Sequence, residues 1–444
     1  MGDERLPLRS IAVYSLPMLG IGYMFGLVNF YLLKFSTDVL LVAPATMGLI
    51  FGISRLWDAF FDLPAGYLSD RTVTRLGRRR PWLLASVVPI SVVFLALWSP
   101  PDGLSGTALT LWMAAGVILF YSAQTIFNVP HSSLGAELTV VYHERTRVFA
   151  ARLIADTGGV FLALVGIFLL ERSSAPRAMA YRLSLIAAVV TAGLILFSIA
   201  QQRERAEYQG RGSTNPYTAF ADVWRNPHAR LLLATFFIEL LGVASLSTLI
   251  PYVSEYILHT PGYTSYYLLG YLLPFAVSIP VWIPLSRRFG KRNAWVASMV
   301  VKGLAFGSCF FLGEGDWLQI IAVVTVVGVA DGCGRTIAPS LQADVIDYDE
   351  YRTGQRKEGA YFAAWNLAAK GAMAVAVVLT GFVLQASGFR PNAEQTETTK
   401  LALRVLMAIF PLVFYAIAAV IGSRFRLNES EHAEIRAALA AGVS

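Results

Sequence analysis

Apolar residues along this chain gather in long runs, and polar residues gather between the runs. The stretch 161–170 is typical, with ten apolar or small residues in succession and no two-residue alternation. Alternation over about ten positions marks the strands of a membrane β-barrel, so the pattern excludes that architecture. A helix crossing a bilayer needs about 20 mainly apolar residues, because a rise of about 1.5 Å per residue must cover roughly 30 Å of hydrocarbon. The pattern predicts twelve such helices, over 10–36, 44–69, 82–100, 106–136, 147–170, 180–200, 229–257, 263–286, 293–312, 317–341, 359–387 and 402–423. Helices satisfy their own backbone donors and acceptors, which lipid cannot do for them. The expected fold is therefore an all-α membrane protein.

Length and composition sharpen this picture. The 444 residues shared among twelve spans leave 37 for each, enough for a helix and a connection and too few for a large soluble domain. Hydrophobic residues make up 56% and charged residues 15%, against roughly 45–50% and about 25% in soluble domains. The longest polar stretch begins QQRERAEYQGRGSTNPY, between the sixth and seventh spans, and reads as a linker. The expected organisation is a six-helix bundle over 1–200, a cytoplasmic linker over 201–228, a second six-helix bundle over 229–424 and a cytoplasmic tail over 425–444. The tail opens on an Asn428-x-x-Glu431 cap and predicts a short helix. The first apolar run is too long for a secretory signal and is read as retained. Cys309 and Cys333 both lie inside apolar runs, so no disulfide framework is expected.

Basic residues set the orientation, since short cytoplasmic loops carry the excess of Lys and Arg. With both termini inside, the cytoplasmic segments hold Arg5 and Arg9, the Arg71 to Arg80 group, Arg145 and Arg147, the linker arginines and the cluster Arg287, Arg288, Lys291 and Arg292. Most of the 36 Lys and Arg residues then face the anionic leaflet. That placement accounts for the net charge of +7 without a nucleic-acid partner.

Two of these basic loops repeat one another. Leu68-Ser69-Asp70-Arg71 followed by Arg75-Leu76-Gly77-Arg78-Arg79 stands after the second span, and Leu285-Ser286-Arg287-Arg288-Phe289-Gly290-Lys291-Arg292 stands after the eighth. A repeat at the same place in each half is the mark of transporters whose halves rock about a midplane site. Asp70, Arg75, Arg78 and Arg79 are expected to act as an inside gate, making and breaking salt bridges between states.

Charged residues inside apolar runs are functional candidates, because each costs at least about 2.5–3.5 kcal/mol to insert near the bilayer centre. Asp58 and Asp62 are four apart on one face of the second span, with Arg55 one turn earlier. Two carboxylates in a low dielectric repel unless a cation or proton lies between them, which is how a coupling-ion site is built. The alternative is a packing salt bridge between Arg55 and one aspartate. Arg152 with Asp156, and Asp331 with Arg335, are i,i+4 pairs that either neutralise themselves or serve a site. Lys302 is long enough to snorkel towards the cytoplasm and is left unassigned. Glu239, Lys302, Asp331 and Arg335 have no assigned partner outside their own helices. Lys370, in the sequence Ala368-Ala369-Lys370-Gly371-Ala372, has no acid within a turn and calls for a water-filled cavity or a partner from another helix, Asp58 or Asp62 being the candidates. Gly22-xxx-Gly26 and Gly48-xxx-Gly52 are spacings that let helices approach closely. No His-Glu-x-x-His, Gly-x-Ser-x-Gly or P-loop sequence occurs, and the five histidines include one within a span, His131, read as structural. The chain is not expected to be an enzyme.

Tyr31-Leu-Leu-Lys-Phe-Ser-Thr37-Asp38-Val39, then Arg55-Leu-Trp-Asp58-Ala-Phe-Phe-Asp62, then Asp70-Arg71 through Arg75-Leu-Gly77 to Pro81-Trp82, resemble the glycoside-pentoside-hexuronide:cation symporters of the major facilitator superfamily. Asn128-Val-Pro130-His, Glu144-Arg145, Ala343-Asp344-Val-Ile-Asp347-Tyr348, Thr353-Gly354 and Lys370-Gly371 continue the likeness across both halves. The resemblance implies the twelve-helix fold of two pseudo-symmetric bundles, a place in the cell inner membrane, and alternating access. It implies that Asp58 and Asp62 form the cation site with Lys370 beside them, that Thr125 is a further cation ligand, and that sodium is held by Asp58, Asp62 and Thr125. Arg152 falls near a substrate-cavity arginine, and Asn128, Lys370 and Trp365 complete the implied substrate contacts.

Departures from the melibiose-transporting members bear on substrate and ion. Their sugar-binding acids on spans one and four are matched here by Gly22 and Asn128, and an asparagine before the second aspartate is matched by Phe61. One oxygen fewer leaves proton coupling open beside sodium. Trp57-Asp58-Ala59-Phe60 is shared with a branch resembling sodium-dependent lysophosphatidylcholine symporters, so a lysolipid stands as the other substrate class. A third class, a receptor or scaffold with a transporter fold, gains nothing from burying Asp58, Asp62 and Lys370. The expected partners are a small-molecule or amphipathic lipid substrate, a coupling cation and the bilayer, with no cofactor and with a monomer as the working unit.

Overall fold

The computed structural model describes residues 6–138, 142–202, 204, 223–353, 358–425, 427, 431, 434, 435, 437 and 438. Among these the chain is helical throughout, with one isolated bridge between Thr74 and Gly77. Among the described residues, eleven helices are long and apolar enough to cross a membrane. They are α1 (Leu8–Phe30), α3 (Arg80–Trp98), α4 (Gly106–Glu137), α5 (Tyr142–Glu171), α6 (Pro176–Gln201), α7 (Pro227–Tyr256), α8 (Thr264–Phe289), α9 (Lys291–Ser308), α10 (Trp317–Thr353), α11 (Glu358–Ala386) and α12 (Glu397–Ser423). The expected second span lies in the 28-residue helix α2 (Pro44–Arg71), which opens on Pro44 at its first turn and carries Arg55, Asp58 and Asp62 along its length. Those charges set α2 apart from the other eleven by composition.

Several helices outrun the apolar stretches that predict them. α10 continues to Thr353 rather than stopping near 341, carrying Asp344, Asp347 and Asp349 in its last turns. Hydropathy reports where side chains leave the hydrocarbon, whereas the helical backbone satisfies its own hydrogen bonds on either side of that boundary.

The chain divides into two compact units, Met1–Thr214 and Asn215–Ser444. The division falls inside the expected linker, most of which lies outside the described residues, as does the tail cap at Asn428. In the first unit α1 packs on α5 and α6, α2 on α4, and α3 on α4 and α6. In the second, α7 packs on α11 and α12, α8 on α10, and α9 on α10 and α12. Each pairing recurs six helices later, so the repeat first visible in two loops extends to the packing of every helix.

Glycine brings the tightest pairs together. A Cβ on Gly159 of α5 would lie 2.2 Å from the Leu19 carbonyl oxygen of α1, and one on Gly22 would lie 2.2 Å from the Asp156 carbonyl oxygen. Gly26, the partner of Gly22 in the small-residue spacing, packs its Cα face against Ala163 of α5. In the second unit Gly328 lets α10 approach the Tyr271 carbonyl of α8 in the same way.

Candidate functional site

The carboxylates of α2 meet the hydroxyl of α4. Asp58 and Asp62 are one turn apart on α2, and Thr125 Oγ1 lies 2.7 Å from Asp58 Oδ1 and 2.9 Å from Asp62 Oδ1. Asp58 and Thr125 are buried and Asp62 is half-buried. A hydroxyl has one hydrogen, so it donates to one carboxylate at a time and turns a lone pair towards the other. Three oxygens, two of them carboxylate, therefore converge where two helices pack. Hard cations take such oxygens as ligands, and a proton shared between the carboxylates relieves the same repulsion.

Arg55 is committed elsewhere. It donates to Asn29 Oδ1 of the first unit's leading helix, and its guanidinium stands 4.4 Å from the Tyr121 ring centre and 5.4 Å from that of Phe25. The alternative of an Arg55–aspartate packing bridge thus gives way to a cation held by α1 and α4. Phe61, which occupies the position where an extra oxygen was missed, stacks at 5.7 Å on Trp57, and Trp57 Nε1 donates to Ser122 Oγ at 2.8 Å.

A second group joins α1, α4 and α5. Arg152 Nη2 donates to Asn128 Oδ1 and Arg152 Nε to His131 Nδ1, both at 3.3 Å, while Asn128 Nδ2 donates to Gln124 Oε1 at 2.9 Å. With Nδ1 accepting, His131 carries its hydrogen on Nε2, which donates to the Tyr14 carbonyl at 2.9 Å. The Tyr14 hydroxyl returns a bond to the His131 carbonyl at 3.0 Å, and the two rings stack at 4.3 Å. His131 is structural, as read, and also positions Arg152, which the sequence did not reveal. Arg152 turns to α4 rather than simply neutralising Asp156 on its own helix. Gly22 has no room for a side chain because α5 backbone lies against it. An acid at that position is therefore excluded by packing as well as by sequence.

Lys370 and Trp365 both lie on α11 of the second unit, Lys370 half-buried and Trp365 stacked at 4.1 Å on Phe236 of α7. Lys302 does not snorkel. It is fully buried and bonds to Glu239 Oε1 at 2.5 Å and Asp331 Oδ1 at 3.0 Å. Asp331 does not pair with Arg335 of its own helix, which is exposed, with its guanidinium 5.9 Å from the Phe275 ring centre.

The expected gate is anchored by acids that the motif does not contain. Arg78 Nη2 and Arg79 Nη2 reach Glu137 Oε1 at 2.6 and 3.0 Å, and Arg79 Nη1 donates to Ser69 Oγ at 2.6 Å. Glu204 accepts the backbone N–H groups of Arg78, Arg79 and Arg80 at 2.6, 2.8 and 2.6 Å, where α3 begins and its dipole favours an anion. Arg75 is exposed, and the side chain of Asp70 lies outside the described residues. In the second unit Lys291, at the start of α9, meets Asp344 of α10 at 2.6 Å. Basic loop and acidic helix end thus pair between equivalent helices, α3 with α4 and α9 with α10.

A family model described as MFS/sugar transport protein matches residues 13–429. A glucuronide carrier protein homolog of Escherichia coli strain K12 is 27% identical over 98% of this chain and 95% of its own length. An isoprimeverose transporter of Lactiplantibacillus pentosus is 28% identical over 94% of this chain and 88% of its own. In fold the chain is similar to a bacterial homolog of the human lysosomal transporter Spinster, at a TM-score of 0.71 and 14% identity, with 96% of this chain and 98% of that one covered.

Proposed function

The chain belongs to the MFS/sugar transport protein family, and from that premise we infer that it carries a sugar across the inner membrane together with a cation, by alternating access. It is a multi-pass membrane transporter and not an enzyme. The observation that carries the mechanism is the convergence of Asp58, Asp62 and Thr125 at one point between α2 and α4. A sodium ion or a proton bound there removes the repulsion between the carboxylates and draws α2 and α4 together. Sugar binding then becomes more favourable in the ion-loaded state, and the coupling is reciprocal. No cofactor enters this reading, Lys370 supplies a further charge to the exchange, and a monomer is the working unit.

Arg152 and Asn128 supply the substrate contacts in the first unit, with Lys370 and Trp365 in the second. The guanidinium is held through Nε and Nη2, so its outer edge is presented at a fixed angle, the geometry that suits a carboxylate. This supports an anionic sugar such as a hexuronide, in keeping with the similarity to a glucuronide carrier homolog. The basic loops close the cytoplasmic face through Glu137, Glu204 and Asp344.

The test is uptake by the purified protein in liposomes under separate sodium and proton gradients, with a hexuronide, a neutral glycoside and a lysolipid. Asp58→Asn is expected to abolish gradient-driven accumulation while leaving the helical fold intact. Undiminished accumulation under both gradients in that variant overturns the ion-site assignment. Accumulation of lysolipid in place of either sugar overturns the substrate assignment.

A further inference from the structure

The second unit buries a charged group that plays no part in the mechanism above. Lys302 of α9, Glu239 of α7 and Asp331 of α10 come from three helices and are 0%, 4% and 7% exposed. Lys302 lies eleven residues into α9, roughly 16 Å along the helix axis, which places the group at membrane depth. The surrounding titratable and charged groups are Tyr271 from α8, Tyr415 from α12, whose ring centre is 4.9 Å from Lys302 Nζ, and Cys333 and the exposed Arg335 on α10 itself.

Fully ionised, the three charges sum to −1 in a place where an uncompensated charge is strongly disfavoured. One proton brings the sum to zero, and the hydrogen bonds say where it fits. Glu239 Oε2 accepts from Trp295 Nε1 at 2.9 Å, and Glu239 Oε1 and Asp331 Oδ1 accept from Lys302. Indole N–H and ammonium are donors only, so a proton placed on any of those three oxygens finds no acceptor in the partner already bound there. Asp331 Oδ2 differs, because its partner at 2.8 Å is the Tyr271 hydroxyl, which both donates and accepts. A proton on Oδ2 simply reverses that bond, and the tyrosine hydrogen swings away.

We propose that Asp331 and Tyr271 form a reversible proton-binding site in the second unit, separate from the Asp58 and Asp62 site and balanced by Lys302 and Glu239. Protonation of Asp331 at Oδ2 leaves Oδ1 a neutral carbonyl oxygen that still accepts from Lys302, so the tie of α10 to α9 weakens from an ion pair to an ordinary hydrogen bond while Lys302 keeps its charged partner Glu239. The site thereby links the packing of α8, α9 and α10 to pH whichever ion occupies the first unit.

Infrared difference spectra of the purified full-length protein, recorded on acidification from neutral pH, test this directly. The expected result is a carboxylic-acid C=O band that is lost in Asp331→Asn and shifted in Tyr271→Phe, which keeps the ring. The same band is expected to persist in Asp58→Asn, so failure here is distinct from failure of the transport mechanism. Absence of the band in the unmodified protein, its survival in Asp331→Asn, or its loss only in Glu239→Gln overturns the proposal. Tyr271→Phe keeps the test decisive if Asp331→Asn does not fold, since an unshifted band in it also overturns the assignment.

Discussion

Thr125 Oγ1 of α4 lies 2.7 Å from Asp58 Oδ1 of α2, and the same oxygen reaches Asp62. One small side chain therefore ties the two carboxylates to a second helix. Thr125→Val keeps the shape and removes the oxygen. A hydrogen bond to a charged group contributes about 1.5–3 kcal/mol, so the apparent affinity for the coupling cation is expected to fall on the order of tenfold or more. Thr125→Ser restores the oxygen and is expected to recover most of that loss. Half-saturation of uptake by sodium, or its shift with pH, measures both.

Arg152 binds through a fork that lysine does not reproduce. Arg152→Lys retains the charge but gives up the bonds to His131 Nδ1 and Asn128 Oδ1. KM for an anionic sugar is expected to rise about tenfold, equivalent to about 1.4 kcal/mol, with a smaller rise for a neutral glycoside. Equal effects on the two substrates in a transport assay would show that Arg152 does not read the anionic group.

Gly159 has no space to give. A Cβ there would lie 2.2 Å from the Leu19 carbonyl oxygen and 2.7 Å from the Tyr23 nitrogen, both backbone atoms that no rotamer change moves. Gly159→Ala is expected to push α1 from α5 at a cost of about 1–3 kcal/mol, seen as a lower melting temperature in detergent. Gly193→Ala, with open space at the Cβ, is the control and is expected to leave the melting temperature nearly unchanged.

Lys302 compensates two carboxylates at once. Lys302→Met leaves Glu239 and Asp331 facing each other without a counter-charge, and breaking a buried pair costs about 3–5 kcal/mol. Combining it with Glu239→Gln and Asp331→Asn removes the charges together and is expected to recover much of the stability. Thermal melts of the single and triple variants, compared at one pH, decide the matter.

Apolar run length predicts helices because it is a local property, and so the spans, the two halves and the facing of Asp58 and Asp62 on one side of α2 were legible in the chain. The repeat of basic loops foretold a duplicated bundle, and the pairing of each helix with its neighbours recurs six helices later. Partners across helices were not legible. Arg55, one turn from Asp58, turns to Asn29 and Tyr121, and His131, unremarkable in its run, positions Arg152. Lys302 looked free to reach the cytoplasm and is instead the most enclosed charge of the second unit's central group. Hydropathy records how apolar a helix is but carries no rotation angle or neighbour. The ion partners were decided by packing, in which helix faces distant in sequence meet and each buried charge is bound by whatever polar atoms its neighbours bring within reach.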